Sequence, residues 1–320
     1  MSQAKSPQVN ASGNTRANNK TKTYFHVGYA RAASTFLQKA VFPALTGLQY
    51  IPRNRFRVRE SEKKRFKSNK ILMSREAGQR IFGRCDDVYR LFNSRIIISL
   101  RRHDSLIASN YRLHVKRGHS TRFDKYLDLE HDQGIWKLEE LEFMRLIRHV
   151  EETTGEKPIV LIFEDYIKDP DYYLASLCAS LGCGLDEQKL SHKPVHKSYN
   201  DKQLRLRRQF ADKFKGNERD QKTPEVSSTS DNKVWAWLKR RSLLWVSAIF
   251  MRIVKFAPDS WLSDEPLIDR DRLIQIREKF QADWQACEQY VAQQNQALGI
   301  RSTTRLSQTS TEPSSESPKT

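Results

Sequence analysis

Residues 28–35 read Gly-Tyr-Ala-Arg-Ala-Ala-Ser-Thr, after a short apolar run at 23–27 and ahead of a helical pattern. A strand, a tight loop of small residues and a helix opening on two hydroxyls make a cradle for an anion. Loop amides and the unpaired N–H groups of the first helical turn converge on it. The spacing from Gly28 to Ser34 and Thr35 fits the nucleotide loop G-x-x-x-x-G-K-[ST], with two departures. Ala33 stands where the second Gly belongs, and Ser34 where the Lys belongs. Enzymes that use a triphosphate grip its β- and γ-phosphates through that Lys. The loop therefore suits an anion, but not a triphosphate held by Lys and Mg²⁺. Arg31, inside the loop, supplies a cation instead. The plain alternative is an ordinary strand-to-helix turn.

A second candidate follows the apolar run 95–100, which ends in Arg101-Arg102-His103-Asp104. A guanidinium at the carboxyl end of a parallel strand lies where open α/β sheets bind ligands. Ser109 comes eight residues after Arg101, about two helical turns on, and returns its hydroxyl toward the same place. Adjacent strand-end residues point opposite ways, so only one of Arg101 and Arg102 faces a ligand, and the spacing selects Arg101. Glu76 follows the apolar run 71–73 and is the first candidate for a general base. A surface carboxylate paired to Arg75 or Arg80 is its plain reading. His103 and His114 are the other candidate bases.

These residues carry a resemblance. The chain resembles the sulfotransferases that use 3′-phosphoadenosine-5′-phosphosulfate. Their first motif, roughly Y-P-K-S-G-T-T-W, stands in register with Tyr29–Phe36 numbered 29 to 36 here. Their second, R-x-P-x-x-x-x-x-S-x-Y after an apolar strand, matches Arg101, His103, Ser109 and Tyr111. A third, Y-E-D-L-x-x-D-P before a helix, is met by residues 163–170, and Leu181-Gly182 closes that helix. The three cover residues 23 to about 200, with Arg31 for Lys, Ala32-Ala33 for Ser-Gly and His103 for Pro. The resemblance implies a P-loop-like three-layer αβα fold around a central parallel sheet. It implies that Arg31, Ala32, Ala33, Ser34 and Thr35 hold the 5′-phosphosulfate, and that Arg101 and Ser109 hold the 3′-phosphate. Arg31 would also stabilise the leaving oxygens, with Glu76 or His114 taking the acceptor proton. The nucleotide is a co-substrate, and no metal is implied. Residues 196–198 fall where the family folds a segment over the nucleotide.

The elements that must position these groups alternate along the chain, which predicts a parallel α/β sheet. Strands are expected at 23–27, 48–50, 71–73, 95–100 and 159–163, and helices at 34–42, 105–116, 137–153, 171–181 and 270–298. One domain is expected over 23–300, between disordered tails at 1–22 and 301–320. Within it, 215–260 reads as a lid or insert with an amphipathic, aromatic stretch at 234–256. No signal peptide or spanning run is read, and the four Cys form no C-x-x-C pair, so a cytoplasmic protein, with a peripheral membrane contact at most, is expected.

The net charge of +18 favours anionic partners. Arg and Lys crowd residues 53–70, which points to an acidic or bulky acceptor hydroxyl, such as one on a glycan or glycolipid. Two other classes stay open. One is a different P-loop enzyme, a kinase or NTPase. The other is a basic nucleic-acid-binding protein, although no signature of a nucleic-acid-binding module is present and no specific nucleic acid is expected.

Overall fold

Five parallel strands form the central sheet, in the order β3-β4-β1-β5-β6. The computed structural model describes residues 21–55, 57, 60–190, 199–215, 258 and 265–301. The expected tails lie outside these except for residues 21, 22 and 301, and Lys22 belongs to the first strand; the stretch 234–256, nearly all of the insert 215–260 and residues 196–198 also lie outside.

The chain enters through β1 (Lys22–Gly28) and turns into α1 (Ser34–Phe36). It continues through wide π-turns (Leu37–Val41) and a 3₁₀ turn (Phe42–Ala44), then β2 (Leu45–Thr46) and β3 (Gln49–Ile51). Next come β4 (Lys70–Glu76), α2 (Ile81–Phe92), β5 (Arg95–Leu100), α3 (His103–Lys116), α4 (Phe123–Tyr126) and α5 (Phe143–Thr154). They are followed by β6 (Ile159–Ile162), α6 (Phe163–Lys168), α7 (Pro170–Leu181), β7 (Gly184–Leu185) and α8 (Asp201–Lys215). Two further helices, Arg270–Lys279 and Gln281–Ala297, complete the described chain.

Strand alternation divides the interior into two layers. Phe25, Val27, Ile71, Met73, Ile96 and Ile98 face α2, α3, α5 and the last helix. Tyr24, Leu72, Ile97, Ile159 and Leu161 face α1 and α7. Both faces are covered, so these strands are apolar on both sides, as a parallel sheet requires.

Adjacent strands β1 and β5 send their connections to opposite sides of the sheet, β1 toward β3 and β5 toward β6. The loops after them must diverge, which opens a crevice at their carboxyl ends.

Several expected elements change at their boundaries. The helix expected at 34–42 holds α-geometry only through Phe36. The helix expected at 137–153 is a 3₁₀ turn (Leu138–Leu141) and then α5, divided at Glu142. Asp283, from the last helix, accepts hydrogen bonds from Phe143 N and Met144 N, both at 3.0 Å. It caps a new helix from outside the segment. Phe163 begins α6 rather than ending β6. The run 270–298 is broken at Phe280. Helices α2, α4 and α8 and the antiparallel pair β2–β7 are additions to the sequence reading.

A polar stitch crosses the middle of the sheet. Buried His26 on β1 meets Ser74 Oγ on β4 at 2.8 Å and Ser99 Oγ on β5 at 2.7 Å. Gln38 Nε2 donates to Ser74 Oγ at 2.9 Å. Burial drives the His26 pKa from 6.5 down to about 3, so the ring stays neutral in the fold. The unfolded chain then binds a proton that the native state excludes. Stability from this ring is complete above pH 6.5 and falls as pH drops toward about 3. Urea unfolding from pH 7.5 to 4 is expected to show a His26→Gln variant losing stability less steeply than the native chain, by about 1.4 kcal/mol per pH unit below the ordinary His pKa. Identical slopes would refute a buried neutral imidazole.

Candidate functional site

The crevice at the ends of β1 and β5 is a cleft of about 410 Å³, within the usual size of a small-molecule site. Its walls include Ala30, Arg31, Ala33, Ser34 and Thr35 of the loop, Glu76 after β4, Arg101 after β5 and Ser109 on α3. Residues far apart in the chain thus share one cavity.

The loop is held by its carbonyls. Asn110 Nδ2 donates to Ala30 O at 2.9 Å, and Arg101 Nη1 donates to Arg31 O at 3.1 Å. Tyr29 O accepts Ala32 N at 3.2 Å and Ser34 Oγ at 3.3 Å. In a trans peptide the next N–H points opposite to its carbonyl. Pinned carbonyls therefore turn the N–H groups of Arg31 and Ala32 away from Asn110 and Arg101. Arg31 and Ala33 both have left-handed backbone, with φ of 76° and 59°. Such turns form concave nests of amides. Gly28 enters the turn so closely that a Cβ there would lie 2.5 Å from Ser34 Oγ.

The cations are arranged around this loop. Arg31 Nε donates to Ser109 Oγ at 2.9 Å, joining the loop to α3. Arg101 Nε donates to Ser105 Oγ at 2.8 Å, and its guanidinium lies 4.9 Å from the centre of the Phe163 ring. Burial lowers the pKa of both arginines; Glu76 opposes this at Arg31, while at Arg101 Glu164 opposes it and the charge of Arg31 adds to it. Both stay protonated. Glu76 accepts from Thr35 Oγ1 at 3.2 Å and from Arg53 Nη1 at 3.2 Å. Arg102 points elsewhere, in a two-point contact with Asp104 at 2.8 and 3.1 Å, while its backbone N–H donates to Glu164 at 3.0 Å. Of the two adjacent arginines, Arg101 is the one that faces the cleft.

Three sequence candidates lie elsewhere. Ala32 is fully buried in the α2–α5 layer, so its methyl belongs to the core and not to the cleft. His114 points off the cleft-facing side of α3; its ring stacks on His119 at 4.0 Å and meets Thr121 Oγ1 at 3.1 Å. His103 is buried, stacked between Phe143 at 4.1 Å and Phe280 at 4.6 Å, with Nε2 on Leu141 O at 2.8 Å. Neither histidine is among the cleft residues, which leaves Glu76 as the base candidate there.

The cleft also contains residues that the sequence reading passed over: Arg112, Leu113, Lys116 and Arg117 of α3, Phe163, Tyr199 and Leu204. The α3 set has a sequence signal, since 112, 113 and 116 repeat the helical face of Ser109. Arg112 donates to Asp201 Oδ1 at 3.0 Å and to Tyr199 O at 3.2 Å, and Lys116 lies 4.7 Å from the Tyr199 ring centre. Among the described residues, five cationic side chains thus line the cleft against one carboxylate, Glu76. The arrangement can bind a multiply charged anion and hold a carboxylate beside it.

No known family model matches the chain, and no curated protein matches it. Among the described residues no helix is long and apolar enough to cross a membrane, and no three His, Cys, Asp or Glu side chains gather to hold a metal ion.

The left-handed alanine gives a direct test of the loop. Left-handed backbone costs a residue with a Cβ about 1–2 kcal/mol, and glycine escapes it. Ala33→Gly is expected to stabilise the protein by about 1 kcal/mol and raise Tm by about 2–4 °C, and Ala33→Val to lower it. Thermal unfolding measures both, and a lower Tm for the glycine variant would contradict the loop conformation.

Proposed function

We propose that this chain is a sulfotransferase with the P-loop-like fold of that family, moving the sulfuryl group of 3′-phosphoadenosine-5′-phosphosulfate to an acceptor hydroxyl. One observation carries the reading: the anion-binding loop, Arg101 and Ser109 line a single cleft at the point where the sheet's connections diverge. The residues present suit such a nucleotide. It bears two phosphate positions and a sulfate, and the cleft offers loop amides, the Ser34 and Thr35 hydroxyls and five cations, with no Lys at the place a triphosphate enzyme uses.

When bound, the nucleotide supplies a sulfuryl group already activated by its bond to phosphate. The loop and Arg31 hold the 5′ side and neutralise charge on the leaving oxygens as it develops. Arg101 and Ser109 hold the 3′-phosphate, with the α3 cations beyond them. Glu76 takes the acceptor proton while the acceptor oxygen bonds to sulfur and the electron pair of the breaking S–O bond leaves with the phosphate. Thr35 and Arg53 orient the Glu76 carboxylate through their hydrogen bonds. The chain's main contributions are positioning and charge stabilisation.

Calorimetric titration is expected to give tighter binding of 3′,5′-phosphoadenosine than of ATP. Arg101→Ala is expected to weaken the former about 10- to 100-fold, as loss of a charged hydrogen-bond donor does. Preference for ATP would favour another P-loop enzyme, and unchanged affinity in the variant would remove Arg101 from the binding role.

Glu76→Gln is expected to leave 3′,5′-phosphoadenosine affinity intact and to lower sulfuryl transfer by about 10²- to 10⁴-fold. Turnover is read by labelled sulfate transfer from the nucleotide to glycans and lipids of the source cells. Near-normal turnover would exclude Glu76 as the base.

A further inference from the structure

The four cysteines fall into two kinds. Cys85 on α2 and Cys287 on the last helix are buried in the α2–α5 layer. Burial pushes the Cys85 thiol up to about 12 and raises that of Cys287 as well, so neither ionises readily. Cys178 and Cys183 are partly exposed and close the end of α7.

Residues 178 to 183 read Cys-Ala-Ser-Leu-Gly-Cys, and the backbone folds this stretch back on itself. Gly182 is left-handed, with φ of 57°. Its N–H donates to Ala179 O at 3.1 Å, and the N–H of Cys183 donates to Cys178 O at 3.0 Å. These two bonds are the pair that ends a helix on a left-handed glycine, and they bring the residue after the glycine against the residue five positions before it. The side chains that meet in such a stop are commonly apolar. Here both are thiols. A disulfide needs its Cα atoms about 4.4–6.8 Å apart. The path from one Cα to the other runs through the carbonyl, the 3.0 Å bond and the amide nitrogen, and its bends keep the two within about that reach. Both side chains pack on the layer of Tyr24, Leu177 and Leu181, which limits where each sulfur can move. Lys70, at the start of β4, donates from Nζ to Gly182 O at 2.6 Å and fixes the turn from the sheet. A hydrogen bond between the two thiols holds Cys178 below its ordinary pKa and Cys183 above it.

We propose that Cys178 and Cys183 form a reversible thiol–disulfide site, oxidised to an internal disulfide by a small disulfide of the glutathione class and reopened by a small thiol. The thiolate of Cys178 attacks one sulfur of the small disulfide, breaks its S–S bond and releases one thiolate, leaving a mixed disulfide. The Cys183 thiol gives up its proton and attacks the Cys178 sulfur, which releases the second thiolate and closes the internal bond. The chain loses two electrons and two protons, and the small disulfide takes them up as two thiols. The site lies away from the cleft. Lys70, which holds its turn, and Glu76 stand at opposite ends of the seven-residue β4, about 20 Å apart. The inference therefore stands independently of the sulfuryl-transfer reading.

The test equilibrates the full chain with mixtures of oxidised and reduced glutathione, blocks the remaining thiols with iodoacetamide in urea, and maps the products by mass spectrometry. The native chain is expected to lose two thiols as one Cys178–Cys183 bond, with Cys85 and Cys287 recovered in alkylated form. The bond is expected to form at a glutathione balance about 10-fold or more less oxidising than the urea-unfolded chain requires, because the folded turn already holds the two sulfurs together. Cys178→Ser and Cys183→Ser are each expected to stop at one glutathione on the remaining thiol of the pair, since nothing is left to resolve the mixed disulfide. Separate glutathiones on both cysteines of the native chain, a bond that draws in Cys85 or Cys287, or equal closure in the folded and unfolded chain would each overturn the site. An internal disulfide in either serine variant would overturn it as well, by showing that another cysteine is the partner.

Discussion

The site depends on one contact, the hydrogen bond from Arg101 at the tip of β5 to the carbonyl of Arg31 in the β1–α1 loop. A loop of small residues has no side-chain core of its own, and two of its residues adopt backbone that ordinary side chains avoid. It keeps that shape because its carbonyls are committed to neighbours from β5 and α3. Arg101 and Asn110 face it from those elements, and Tyr29 anchors its start through a hydrogen bond to Glu140 O at 2.7 Å. The same grip brings Arg101 and Arg31 together, so the loop's support and its cationic character have one source.

Below the loop, the sheet is stiffened by polar rather than apolar contact. His26, Ser74 and Ser99 lie side by side on the three central strands, on the face that also carries α1. Every polar group in this stitch has a partner, which is the condition for burying it without penalty. Gly28 sits just beyond, where Ser34 and Ser99 leave no room for a side chain. The strand therefore delivers the loop to one place, and the strain at Ala33 is carried by a rigid support.

Charge is distributed with a similar logic. Several arginines remote from the cleft are paired with carboxylates that tie elements together, as Glu265 ties α4's approach to α8 through Arg122 and Arg208. At the cleft itself, Arg31, Arg101, Arg112, Lys116 and Arg117 gather around the carboxylate of Glu76.

Much of the sheet was legible in the sequence because its strands are buried on both faces and read as unbroken apolar runs, such as Ile96-Ile97-Ile98. The loop residues stood out as small residues before two hydroxyls, and the eight-residue interval from Arg101 to Ser109 pointed to the arginine of an adjacent pair that lines the cleft. Local composition did not reveal which neighbours cap and divide the helices. Asp283 ends one turn and starts α5 from 140 residues away in the chain. Nor did it reveal His114 turning off the cleft or Ala32 turning into the core, since both depend on the direction a side chain takes after its element has packed. Periodicity and residue type, which are local properties, were enough to place a parallel sheet with a loop of small residues after one strand and a cationic end on another. That these lie in one cleft with Glu76 and the α3 cations follows from the order of the strands and the divergence of their connections, which no local pattern encodes.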